Sequence, residues 1–124
     1  MFDHVSLGTS DLDRGAAFFS SLLACVGAGV TKRDAESVSF GPNGTEWFYL
    51  YQQAPGVTIA GGGTHVAFSA ASTDQVDALC EAARANGATI RRPAGPRPDL
   101  NERYYGTVVV DFDGNVIEAV AYLK

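Results

Sequence analysis

Polar and apolar positions alternate from the first residues. Phe2, His4 and Ser6 fall on one side of an extended segment and Val5 and Leu7 on the other, which predicts a strand over 2–8. The period then changes. Leu12, Ala16, Phe19 and Leu23 recur at helical spacing, Ser10 stands where an N-cap belongs, and Asp11 and Asp13 suit the positive end of the helix. Gly27 and Gly29 close it. Three strands are expected next, over about 28–33, 36–41 and 45–53, the last following the Gly-Pro-Asn-Gly turn at 41–44. Residues 54–63 (APGVTIAGGG) connect this half to another of the same pattern. There a strand over about 64–69 precedes a helix capped by Ser72 or Thr73. Val76, Leu79, Cys80 and Ala83 form its stripe, and Gly87 ends it. A strand near 88–92, a Pro- and Arg-rich loop over 93–103, and strands over about 104–111 and 115–122 joined at Asp113-Gly114 complete the chain.

The order is β-α-β-β-β, twice. The repeat is faint but visible in residues: His4-Val5-Ser6-Leu7 is echoed 61 positions later by His65-Val66-Ala67-Phe68, and Asp13 by Asp74 at the same offset. A period of half the chain implies two copies of one unit packed together. The fold class expected is therefore α+β, one domain over 1–124 built of βαβββ repeats at about 1–55 and 62–124, with curved mixed sheets around a cavity.

Composition narrows the partners. At 13.0 kDa, with 46% hydrophobic residues, the chain makes one core and not two. Net charge is −5 with no basic stripe, which argues against nucleic acid. The longest charge-free stretch, Gly15 to Thr31, is interrupted by glycines and serines and is shorter than the ~20 residues that span a bilayer. No basic segment precedes it, so neither membrane nor targeting is expected, and the location expected is cytoplasmic. Cys25 and Cys80 sit in apolar helical contexts and read as reduced, unreactive thiols.

The chain has two histidines only, at equivalent points of the repeat. Units paired about a pseudo-two-fold axis bring such points close. Glu118 is the third candidate: it interrupts the apolar run Val116 to Val120, where a carboxylate is costly to bury unless neutralised. Alternation puts Val116, Glu118 and Val120 on one face and Ile117, Ala119 and Ala121 on the other, which suits packing under helices. A divalent cation held by His4, His65 and Glu118 explains these placements and leaves positions open for substrate or water. The plainer alternative pairs Glu118 with Arg103 or another cation and makes the histidines hydrogen-bonded core residues.

The chain also resembles the vicinal oxygen chelate superfamily of glyoxalase I, extradiol dioxygenases, fosfomycin-resistance thiol transferases and bleomycin-resistance proteins. The resemblance is carried by Asp3 to Leu7, by Asp11-Leu12-Asp13-Arg14-Gly15-Ala16-Ala17-Phe18-Phe19, by Thr64 to Phe68, and by Tyr104-Tyr105-Gly106 and Asp111 to Val120. It covers essentially the whole chain and is specific for the fold, not for one activity. It implies metal ligands at His4, His65 and Glu118. The remaining ligand position falls near Tyr49, where glyoxalase I-like enzymes have a glutamate. Tyr49 is a poor neutral ligand, and Glu46, three residues back along a strand, should face away unless a bulge intervenes. The missing glutamate counts against glyoxalase-type proton shuttling. Extradiol dioxygenases resemble one another in a further catalytic histidine that this chain lacks, and the 98–103 loop does not match the phosphonate-binding segment of the thiol transferases.

Trp47, Tyr49 and Tyr51 share a strand face and read equally as stacking groups for a flat ligand or as lining aromatics. Arg91, Arg92, Arg97 and Arg103 read first as solvated surface, with a clamp on an anionic substrate as the alternative. Gly61-Gly62-Gly63 reads as flexible linkage, not as a phosphate loop. The function expected is a metalloenzyme of this superfamily, a lyase, dioxygenase or thiol transferase, acting as a homodimer on a small oxygenated substrate. His4, His65 and Glu118 hold Fe, Mn, Zn or Ni; Tyr49 and Tyr105 are catalytic, and Trp47, Tyr51 and Arg103 bind substrate. The rival is a metal-free protein that sequesters a cationic or aromatic compound.

Overall fold

A computed structural model describes all residues from 1 to 124. The first unit consists of β1 (Val5–Thr9), α1 (Leu12–Ala24), β2 (Gly29–Arg33), β3 (Ser37–Gly41) and β4 (Phe48–Gln52). The second consists of β5 (His65–Ser69), α2 (Thr73–Ala85), β6 (Thr89–Pro96), β7 (Tyr104–Val110) and β8 (Val116–Tyr122). Each unit makes a mixed four-stranded sheet, ordered β1-β4-β3-β2 in one and β5-β8-β7-β6 in the other. In both, the first strand runs parallel to the last and the remaining pairs are antiparallel. The expected twofold βαβββ architecture is the architecture observed.

Both helices lie on one side of their sheets and touch each other, so a single apolar core joins the units. The first half contributes Phe18, Phe19, Phe40 and Phe48, whose rings meet at centroid distances of 4.9–6.4 Å. The second contributes mainly aliphatic groups, Val76, Leu79, Val109 and Ile117, all without exposed surface. Phe68 meets Phe48 edge-on at 5.6 Å and ties the halves together. Ile117, Ala119 and Ala121 face this core, so Glu118 lies on the opposite, open face.

Two details differ from the sequence reading. The N-cap of α1 is Asp11, whose carboxylate accepts from the Arg14 N–H at 3.1 Å. The Ser10 hydroxyl instead donates to Asp113 of the second half at 2.5 Å, and Thr9 donates to the same carboxylate at 2.7 Å. Second, the segment 93–96 belongs to β6 and not to a loop. β6 is an edge strand, where a proline lacking its N–H costs no ladder bond. Beneath this clasp, Asp111 is buried and accepts from the backbone N–H groups of Asp113 and Asn115 at 2.9 and 2.7 Å. Desolvation pushes its carboxyl above the ordinary range. The Asn115 amide then reaches the Gly8 carbonyl at 2.9 Å.

Candidate functional site

Strand register defines the site. Glu118 lies opposite Ala67 on the neighbouring β5, two residues along from the pair His65–Val116 and so on the same face. The carboxylate therefore comes beside the His65 ring, with Nε2 to Oε1 at 3.6 Å. Glu118 is only 8% exposed, and its other oxygen accepts from the Tyr104 hydroxyl on β7. Desolvation, reinforced by this hydrogen bond to a carboxylate, pushes the Tyr104 phenol well above its usual value, so it stays a proton donor. Gly106 leaves room for the pair, since a Cβ there would lie 3.0 Å from the Tyr104 ring and 3.4 Å from a Glu118 oxygen. A cavity of about 270 Å³ opens over His65 and Glu118, with Thr64, Arg91, Val108 and Val116 around it.

The first half repeats this geometry with different chemistry. Register pairs Ser6 with Tyr49 as it pairs Ala67 with Glu118, so Tyr49 occupies the position equivalent to Glu118. His4 lies against it edge-on, with ring centroids 5.0 Å apart, and its Nδ1 is 2.6 Å from Asp3. Glu46 does not face away. It precedes the first residue of β4, and its carboxylate accepts from the Tyr49 hydroxyl. That bond, then desolvation, pushes Tyr49 up to about 12. Strand alternation, used to place Glu46 opposite, does not apply to a residue outside the strand.

His4 borders a different opening from His65. It sits at the rim of an apolar groove of about 550 Å³ lined by Phe2, Leu23, Phe40, Trp47 and Phe68. Within one chain, no three His, Cys, Asp or Glu side chains are gathered where one ion could bind all of them. His65 and Glu118 are together; His4 is with Tyr49.

The remaining candidates separate likewise. Tyr49 and Tyr51 stack at 5.9 Å with an 11° angle, whereas Trp47 lies in the apolar groove, 60% exposed. Tyr105 pairs with Ala121 and turns toward the helices, its hydroxyl donating to Asp77 of α2 at 2.5 Å. Alternation along β7 thus gives the open face to Tyr104, while Tyr105, expected from the sequence as a catalytic group, lies on the helix side. Arg103 donates from Nε to the Leu123 carbonyl at 2.6 Å and does not line the cavity. Arg91 does. Cys25 and Cys80 are free thiols, and burial raises that of Cys25. No helix is long and apolar enough to cross a membrane.

The donor set accommodates a divalent ion in part. Two donors 3.6 Å apart suit an ion bound at about 2.0–2.2 Å from each, with the angle between them open. Tyr104 orients the carboxylate as hydrogen-bonded outer partners of metal ligands commonly do. A third protein donor to such an ion would have to come from outside the chain's own cavity.

Residues 1–119 match the family model described as the Glyoxalase/Bleomycin resistance protein/Dioxygenase superfamily. A glyoxalase/bleomycin resistance protein from Albidiferax ferrireducens has a similar structure, with a TM-score of 0.85 and 30% identity over 97% of this chain and 98% of that one. A fosfomycin resistance protein, FosX, from Listeria monocytogenes shares the fold at TM-score 0.71 and 22% identity, covering 98% and 92% of the two chains. A glyoxylase/bleomycin resistance protein/dioxygenase domain from Frankia sp. does so at 0.74 and 21%, covering 98% and 97%. No curated protein sequence matches the chain.

Proposed function

Because the chain belongs to the Glyoxalase/Bleomycin resistance protein/Dioxygenase superfamily, we propose that it is a metal-dependent enzyme acting on a small oxygenated compound. In this reading His65 and Glu118 of one subunit, with His4 of the partner subunit, hold the ion in a homodimer. The observation that carries it is the buried Glu118 set beside the His65 ring on an open sheet face. A carboxylate there, with one oxygen on Tyr104 and the other on a histidine, is what a cation site would require. His4 borders the apolar groove of the first half, away from His65, which supports drawing it from a second copy.

When bound, the ion would act as a Lewis acid toward adjacent oxygens of the substrate. The chain's own residues do the rest. Tyr104 keeps its proton and fixes the carboxylate through one oxygen. Tyr49 stays protonated at neutral pH, donates to Glu46, and offers its oxygen as an acceptor to a substrate hydroxyl. Tyr51 stacks on Tyr49 and gives a flat wall.

The test is elemental analysis of protein purified without chelators and reloaded in turn with Fe, Mn, Zn and Ni, alongside a His65→Ala variant. About one ion per chain, lost in the variant, is expected. Wild-type protein that retains no ion after any loading overturns the reading. That result would favour the second one, a metal-free binder of cationic or aromatic compounds, for which the stacked Tyr49 and Tyr51 and the net charge of −5 speak.

A further inference from the structure

The chain has seven arginines, and five of them are engaged. Arg14 lies 4.1 Å over the Phe112 ring, Arg33 pairs with Asp13, and Arg84 with Glu81. Arg97 forks onto Asp99 through two hydrogen bonds at 2.9 and 2.7 Å, and Arg103 bonds the Leu123 carbonyl. Arg91 and Arg92 make no ion pair and no side-chain hydrogen bond within the chain, and Arg91 lines the cavity that holds His65 and Glu118.

Backbone geometry puts Arg91 there. Ile90 pairs with Val109 and packs against the core, so alternation turns Arg91 to the open face. The ladder then slips: Arg92, not Arg91, pairs with Val108, the residue opposite Glu118. This is a bulge, one extra residue that brings two consecutive side chains to one face, a device common beside active sites. The first half has the same bulge between Val30 and Lys32, with Thr31 as the extra residue. There the bulged side chain is satisfied, since the Thr31 hydroxyl and the Ser39 hydroxyl are 2.9 Å apart. The repeat conserves the backbone device and changes the residue on it from a matched hydroxyl to an unmatched cation.

Glu118 makes no ion pair with Arg91. One of its oxygens faces His65 and the other accepts from Tyr104. A divalent ion with two imidazoles and one carboxylate would carry a net +1, and Arg91 adds a further positive charge beside it. With the ion in place the site would thus lack negative charge, although the protein as a whole has an excess of it.

We propose that Arg91 is the anion-binding group of this cavity, so that the compound accepted there carries a carboxylate next to the oxygens that face His65 and Glu118. The planar guanidinium donates two parallel hydrogen bonds to such a group, and Arg92, one residue on, adds to the positive field. The proposal rests on the placement of the site at His65 and Glu118, and names the class of substrate it takes.

The test compares lactate with its uncharged amide, lactamide, as calorimetric probes of the metal-loaded wild-type protein and of Arg91→Gln and Arg91→Lys. Wild type should bind lactate more tightly than lactamide. Arg91→Gln should weaken lactate about 10-fold or more, as expected for a lost charge-assisted bond, while lactamide affinity and metal content stay unchanged. Arg91→Lys should recover part of the difference. Equal affinity for the two probes in wild type, or lactate binding that Arg91→Gln leaves intact, overturns the proposal. The metal reading fails separately: a metal-free wild type that still prefers lactate through Arg91 keeps the anion site and loses the ion.

Discussion

The two halves share one backbone plan down to the bulge in their second strands, yet their open faces carry opposite chemistry. The first presents His4, Tyr49, Tyr51, Thr31 and Ser39, mostly neutral groups that stack or exchange hydroxyl hydrogen bonds. The second presents His65, Glu118, Tyr104 and Arg91, a concentration of ionisable groups around one buried carboxylate. Each half has one tyrosine–carboxylate pair on this face, with the roles exchanged. In the first the tyrosine occupies the strand position and the carboxylate comes from outside the strand; in the second the carboxylate does and the tyrosine reaches it from β7. Under the proposed function this difference is a division of labour, in which one half would bind the ion and the charge of the ligand and the other would contribute a histidine and a flat polar wall.

The cores differ as well, and here the largest effect is expected. The first half packs on phenylalanine rings, with Phe48 meeting Phe19, Phe40 and, across the junction, Phe68. Phe48→Ala should cost about 3–5 kcal/mol in urea unfolding, whereas Ile117→Val, at the equivalent position of the second half, should cost about 0.5–1.5 kcal/mol. Similar losses from the two changes would mean that the aromatic half does not dominate the shared core.

The open faces are separated by a pair of conservative changes. Tyr104→Phe removes the hydroxyl that orients Glu118 and should weaken metal binding about 10–100-fold in a chelator competition, as outer-shell changes do. Tyr49→Phe, at the equivalent of Glu118, should leave metal affinity within about twofold, because such a phenol is no ligand. An equal loss from both would place Tyr49 in the coordination sphere and abolish the contrast between halves.

The clasp at the junction comes next in size. Asp113 accepts from Thr9 and Ser10 and holds the end of β1 to the turn before β8. Asp113→Ala should destabilise the protein by about 1.5–3 kcal/mol, the range for hydrogen bonds to a charged group. A transition that splits in two, seen by fluorescence of Trp47 and by circular dichroism separately, would show the halves unfolding independently.

Much of this was legible in the residues. The period of the apolar positions changes from two to helical and back at the right places, and the spacing from His4 to His65 sets the repeat to within the resolution of the strands. Glu118 stood out because a carboxylate in an apolar run has few structural explanations. What stayed hidden depended on departures from regular geometry. Alternation counted from an assumed strand misplaced Glu46, which lies just before β4 begins. The bulge at Arg91 has no sequence mark, so a cavity arginine looked like its solvated neighbours. Tyr104 and Tyr105 are adjacent tyrosines on opposite faces, and only the register to Tyr122 and Ala121 tells them apart. Ser10 looked like the cap because its proper partner, Asp113, is more than a hundred residues away.

The smallest effect should separate the two tyrosines raised to about 12, one from each half. Tyr49 owes its shift first to the hydrogen bond to Glu46, and Tyr105 to that with Asp77. In the unfolded chain a tyrosine ionises near 10. The folded protein therefore binds a proton that the unfolded chain has lost between pH 10 and about 12, and stability must fall as pH rises through that window. Below pH 10 the contribution is fully present. The gap in Tm between wild type and Tyr49→Phe should thus be constant from neutral pH to about 10 and close as pH approaches 12. Tyr105→Phe should behave the same way, with its gap set by the contact to α2. Since Tyr49 lies on the open face, ligand bound there should keep its gap open at high pH, while that of Tyr105, which turns toward the helices, should not change. A ligand that shifts both or neither would mean that the first half's tyrosine does not face the site.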